Sequence, residues 1–303
     1  MNKIFKVIWS KSKQCYIVVS EIAKNKTGKK KIVVASILAV LTMTANVVTV
    51  EGAIPEGSRT DQLGLAIGTS SNSKSNQSVA IGYASSAQAP GANPENPATA
   101  VGAGANANGA GAVALGLSAN ATGANAVALG GGSNGGTNKT EATGVETTAV
   151  GFNAKASNSR AAAIGSGAAS SGSDAIAFGT SSIANSEKAI AIGTDSKATA
   201  IGTTALGRSS AATGASATAL GSLASASGTT ATAVGMQASA TGNESVAIGQ
   251  TASATSGRAL AVGTNAKATG ENSVAVGSGA GGSGPRGFAS SINSCLLYTS
   301  DAA

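Results

Sequence analysis

Side chains able to do chemistry are scarce in this 303-residue chain, and their spacing assembles no reaction centre. Histidine is absent, which removes the most common general base. Asp174, Glu187, Asp195, Glu244 and Glu271 stand at scattered positions, whereas hydrolysis of a glycosidic bond needs two carboxyl groups facing one bond. Repeated aspartates of the kind that hold calcium in some solenoids are missing as well. With 42 glycines, phosphate-loop spacings arise by chance, but no Gly-Lys-Ser/Thr follows them. Cys15 and Cys295 lie near the two ends, so the body between them holds no disulfide framework. These residues predict no enzyme, no cofactor and no metal site.

The charge is equally uneven. The formal net charge is +7, but nine lysines between Lys3 and Lys31 face only Glu21 there. The leader therefore carries +8 and the remainder is close to neutral, which argues against a nucleic-acid partner. An apolar run from Ile32 to Val50 follows, interrupted by Thr42, Thr44, Asn46 and Thr49. A basic stretch followed by such a run reads as a secretory signal, with cleavage expected between Ala45 and Gly57; a membrane anchor is the alternative. The stretch 1–31 ahead of it is longer than an ordinary basic region, and an amphipathic membrane-binding helix is a second reading of it.

The elements that would position any functional side chain follow from an internal repeat. An apolar or Thr residue, then Ala, then an aliphatic or Phe, then Gly recurs with its glycine at Gly68, Gly82, Gly102, Gly116, Gly130 and Gly151, and on to Gly277. Twelve of the fourteen intervals in this register have one length, the step from Gly68 to Gly82. The two longer ones hold insertions near 87–98, rich in proline, and 131–147, rich in Gly, Asn and Thr. Both are expected to bud as loops from one corner of a coil. Alternation such as Val127-Ala128-Leu129 has the period of a strand, and a weaker alternation such as Ala238-Ser239-Ala240 supplies a second. Two short strands and two corners make one flattened coil, with the strand-ending Gly at one corner and Thr-Gly or Ser-Gly at the other.

Each first strand has a small face of Ala and a larger face of Val, Ile or Leu. The Ala face suits the inside of a thin roll, which leaves the larger face in need of a cover. Two large aliphatics per coil contribute about 1.5–3 kcal/mol each when fully buried, against about 1–2 kcal/mol for fixing each backbone residue. Covering the stripe with further copies offsets more of that cost, so a closed cyclic homo-oligomer is expected. The alternative, with aliphatics inside, gives a stable monomer.

Two stretches carry a family resemblance. The leader, in Met1-Asn2-Lys3-Ile4-Phe5-Lys6-Val7-Ile8-Trp9 and Val18-Val19-Ser20-Glu21-Ile22-Ala23-Lys24, resembles the extended signal peptide of type V secretion substrates. The repeats from about Leu65 to Gly277 resemble the head repeats of YadA-like trimeric autotransporter adhesins. That resemblance implies an all-β, left-handed parallel β-roll, or solenoid, of 14-residue coils, assembled as a side-by-side homotrimer. It further implies export through the periplasm to the outer membrane and surface of a Gram-negative bacterium. Attachment to collagen-like host matrix or cell-surface ligands, with autoaggregation, follows from it; a spacer that lifts a separate binding tip is the alternative.

A collagen-linked motif of that family, Asn-Ser-Val-Ala-Ile-Gly-x-x-Ser, is matched at all but its first position by Gln77-Ser78-Val79-Ala80-Ile81-Gly82-Tyr83-Ala84-Ser85. It is matched in part by Asn272-Ser273-Val274-Ala275-Val276-Gly277. By resemblance Gln77, Ser78, Val79, Ala80, Ile81, Gly82, Ser85, Asn272, Ser273 and Val274 are therefore candidate ligand contacts; as bare residues they read equally as coil packing. The organisation expected is an extended signal peptide over 1–50 (extension 1–31, hydrophobic region 32–50), a head roll over 58–280, and an unassigned or non-native tail over 281–303, in which Gly287 to Ala303 breaks composition and period as a fragment end or translated non-native sequence would. The family's coiled-coil stalk and C-terminal membrane anchor are not recognisable after Gly277.

Overall fold

The computed structural model describes residues 5–10, 15–20, 59–60, 64–75, 77–89, 96–133, 137–278, 288–289 and 295–297. The hydrophobic region 32–50, the expected cleavage region, the centres of both insertions and most of the tail lie outside the described residues. Two compact units divide at Glu51. In the first, Phe5–Ser10 and Cys15–Ser20 pair as antiparallel strands, with Trp9 opposite Tyr16. Two strands thus replace the amphipathic helix offered as one reading of this stretch.

The second unit is a parallel β-solenoid, and no helix occurs among the described residues. Three-residue strands from Leu65–Ile67 to Val274–Val276 stack into one parallel sheet, and two-residue strands from Asn72–Ser73 to Lys267–Ala268 stack into another. The register advances by one coil at each pairing in both, for example Thr204 to Thr218 to Thr232 and Ser225 to Ser239 to Ser253. One further rung, Phe288–Ala289 and Cys295–Leu297, pairs with Lys267–Ala268 and Val274–Val276. It sets Leu296 opposite Ala275, a register position that holds Ala in every preceding long strand.

Between the sheets lies a core made almost wholly of alanine. The central Ala of each long strand and the second residue of each short strand point inward, as in Ala219 and Ala226, both fully buried. Two sheets carrying only methyl groups approach more closely than sheets carrying Leu or Ile, and the result is the thin roll expected from an alanine-rich chain. Serines and threonines that share this interior are satisfied by the backbone. Ser245 and Ser273 each donate to a glycine carbonyl three residues earlier, at 2.6 Å.

The coil is built from two seven-residue halves of one plan. Ala217, Ala219 and then Gly221 point inward or turn the corner, ending on Leu223; Ala224, Ala226 and Gly228 repeat this, ending on Thr230. The closing residue of each half is left-handed, with φ of 60° at Leu223, 55° at Thr230, 58° at Gln237 and 58° at Glu244. Each corner closes in the same way, Ala224 N–H donating to Gly221 O at 3.2 Å and Ala231 N–H to Gly228 O at 3.1 Å.

The two corner glycines serve different ends. Gly221 has φ +136°, and a Cβ there would also lie 2.5 Å from Gly235 O. Gly228 lacks a positive φ but stacks so closely that a Cβ would lie 1.9 Å from Gly242 O. Opposite-corner turning is therefore done by the left-handed residue two places later, not by the glycine of Thr-Gly or Ser-Gly itself.

Candidate functional site

Long strands turn their first and third side chains outward, so the outer face of their sheet is two columns of side chains. From Leu65 and Ile67 to Val274 and Val276 these columns contain Val, Ile, Leu, Thr, one Ala and one Phe, and no charged residue. Several are substantially open in the single chain, among them Leu115, Ile176, Phe178, Leu206, Leu220 and Ile248. A contiguous apolar face of this length is unusual for a surface left to water. The expectation of alanines inside and aliphatics outside holds along the whole ladder.

The short-strand sheet presents the opposite character. Its outward column from Asn120 passes through Glu141, Lys155 and Lys197 to Lys267. Just beyond each short strand, Ser or Thr recurs once per coil from Thr122 to Thr269, interrupted only by Asn185. Charged groups gather at this sheet and at the corners. Lys139 and Lys155 both pair with Glu141, at 3.2 and 3.5 Å. Arg160 donates to both carboxylate oxygens of Asp174 one coil on, at 2.5 and 2.9 Å. That hydrogen-bonded fork holds the Asp174 carboxyl below the usual carboxylate range and raises Arg160, while desolvation opposes both shifts. No group of three or more metal-ligating side chains occurs among the described residues.

The residues of the collagen-linked motif divide by burial. Gln77 is exposed at a corner with φ 60°, and Val79 and Ile81 face outward, half-buried. Ser78, Ala80 and Ser85 are fully buried; Ser85 donates to Gly82 O at 3.0 Å, and Gly82 is held by the backbone of Gly102 beneath it. In the second copy Asn272 accepts from Arg258 Nε at 2.7 Å, Val274 faces outward and Ser273 is fully buried. Of the candidate contacts, only Gln77, Val79, Ile81, Asn272 and Val274 keep side-chain surface in the single chain, while the remaining members build the coil.

Ser78 has a local task that its motif did not announce. Its Oγ accepts the Ala98 amide at 3.0 Å, while Ser75 Oγ accepts the Ala89 amide at 2.7 Å and donates to Ala89 O at 3.1 Å. Two serines of one coil therefore grip both ends of the proline-rich insertion, which leaves after a short strand. The second insertion leaves after a long strand, at Gly131 and Gly132, and its return is fixed by Thr140 Oγ1 donating to Gly151 O at 2.6 Å. The insertions consequently depart from opposite corners, contrary to the single corner expected. Parity within the coil decides this, and the glycine intervals alone do not carry it. Exposed Tyr83 and Phe152 occupy the same corner column as the second insertion; their only sequence signal is an aromatic directly after a register glycine.

Family models account for most of the chain. The extended signal peptide of the type V secretion system matches residues 1–48. The YadA head domain repeat (2 copies) matches residues 62–85, 97–119, 107–133, 142–168, 170–196, 198–224, 226–252 and 254–280. No curated protein matches the chain significantly.

Proposed function

Because the chain belongs to the YadA head-repeat family and begins with a type V secretion signal, we propose that it is the head of a bacterial surface adhesin, working as a side-by-side homotrimer on the outside of a Gram-negative cell. In this reading residues 1–50 direct export, 58–280 form the head and 281–303 are an unassigned or non-native tail. The roll is left-handed, as the family resemblance implies. The head attaches to collagen-like host matrix or to cell-surface ligands, and to other cells of its own kind.

The observation that carries the reading is the pairing of an export signal with a roll whose two outer faces differ. Fifteen coils at about 4.8 Å each, and a strip about 10 Å wide, give each chain an uncharged face of about 700 Å² divided between two neighbours, in total close to the ~800 Å² that a chain buries in a stable complex. Three such faces cover one another around an axis. The hydroxyl-bearing sheets and the insertions are then left outward, repeated around the trimer. Weak single contacts along such a rod gain through avidity.

A binding screen of the intact protein against collagen, fibronectin, laminin and host cells tests the function. Saturable attachment to any of them, lost on deleting 90–95 or 133–139 with the roll still folded, supports attachment through the insertions. Attachment that survives both deletions assigns it to the repeats. Failure on every surface, together with no autoaggregation, leaves the spacer role.

A further inference from the structure

A ladder of near-identical coils has a difficulty when copies of it pack side by side. Sliding one chain by a coil along its neighbour puts nearly the same side chains in contact again, so near-degenerate registers compete unless some coil is marked. In the uncharged face two adjacent coils are marked, and in opposite senses. Ala162 is the one alanine in the first outward column, and Phe178 is the one aromatic in the third. Pairing sets Ala162 beside Ile176 and Ile164 beside Phe178, so the notch and the bulge lie one coil apart. Phe178 is 51% exposed in the single chain and stands proud of its own sheet.

We propose that Phe178 of one copy seats over Ala162 of the neighbouring copy and thereby fixes the axial register of the assembly. The inference rests on the homotrimer reading above. In a closed ring each copy offers different parts of the same face to its two neighbours, which brings the third column of one against the first column of the next. Elsewhere the first column holds Leu, Val, Ile or Thr and the third Ile, Val or Leu, so Ala162 and Phe178 are the two extremes of bulk in the face. With Phe178 at Ala162 the extra ring volume fills the missing one. A shift of one coil either way presses the ring against Ile176 or Thr148 and leaves the notch empty, combining overpacking with a void.

Fixing that contact fixes the height of every other. From Ile164 onward a third-column residue then meets the neighbour's first-column residue one coil below its own, which sets Leu220 against Thr204 and away from Thr218 and Thr232. The test uses the full chain with Cys15→Ser and Cys295→Ser. One tagged copy carries Leu220→Cys; a differently tagged copy carries Thr204→Cys, Thr218→Cys or Thr232→Cys. Disulfides need Cα atoms within about 7 Å, so oxidised co-assembled chains report register directly.

The expected result is a dominant 220–204 heterodimer. Adding Phe178→Ala to all copies should lower that product by half or more while the 218 and 232 products rise. A trimer that cross-links mainly through 218 or 232, or whose pattern is unchanged by Phe178→Ala, overturns the lock and leaves the trimer standing. Sedimentation of the unmodified chain as a folded monomer removes the trimer itself, and with it the lock.

Discussion

At the scale of single residues, the coil separates positions that look alike in sequence. Gly221 and Gly202 are both corner glycines with positive φ, at +136° and +66°. The first lies where essentially only glycine is found, and a side chain would collide with Gly235 O at 2.5 Å. The second is ordinary left-handed backbone, and a Cβ there meets nothing nearer than Ser216 Oγ at 3.6 Å. Gly221→Ala is accordingly expected to cost at least about 1–3 kcal/mol from strain alone, read as a lower midpoint in denaturant. Gly202→Asn should change stability by no more than about 0.5 kcal/mol, because Asn tolerates this conformation. Equal effects would show that stacking and φ are not what selects glycine. The register glycines were legible from their spacing because the chain has no substitute for them. The left-handed positions were not: they hold Leu223, Glu244, Arg258 and Asn272, since a side chain there points to solvent and composition leaves no mark. Ser78 was visible only as a letter of a motif; its tie to Ala98 across the insertion depends on which coils touch.

At the scale of the element, neighbouring coils are joined by side chains one repeat apart. Arg160 and Asp174 occupy equivalent corners of successive coils, as do Asn106 and Asn120 on the short strands, whose amides bond at 2.9 Å. Because the Asp174 carboxyl is held below its ordinary range by the Arg160 hydrogen bonds, its contribution is in place above the usual carboxylate pKa. It disappears as pH falls through the depressed folded value. Asp174→Asn should therefore melt slightly below the parent protein near neutrality and converge with it in strong acid. A gap that widens on acidification would contradict the assignment. The effect is expected to be small and to shrink further in high salt, since the pair is open to solvent. Strand positions were legible in the sequence for the long strands, where Val, Ile and Leu alternate with Ala. The short strands were fainter because both their faces carry small residues, and the corner from which each insertion leaves requires knowing which half of a coil has been interrupted.

At the scale of the whole molecule, the seven-residue half makes a prediction about deletions that the full-coil register alone does not. Both halves place two residues inward, two outward and one at a left-handed corner, so to the backbone they are interchangeable. They differ in what faces outward: large aliphatics from one half, hydroxyls and charges from the other. Excising 217–230 removes one complete coil and rejoins Ser216 to Ala231, leaving every later long strand in its own sheet. Contacts in a solenoid are between neighbours, so the protein should fold, lose only the stability of one rung, and sediment in the same oligomeric state as the parent. Excising 217–223 joins Ser216 to Ala224, also without disturbing the backbone plan. Every long strand after that point then falls on the opposite sheet, and the uncharged face breaks into two segments on opposite sides of the roll. The segments keep ten and four of the long strands, roughly 480 and 190 Å² by the same spacing, both well under what a chain buries in a stable complex. Circular dichroism should report similar β content in the two variants, and sedimentation should find the second one dissociated. A seven-residue deletion that assembles like the parent would mean that the continuous aliphatic face is not what holds the copies together, whatever the local fit of any one coil.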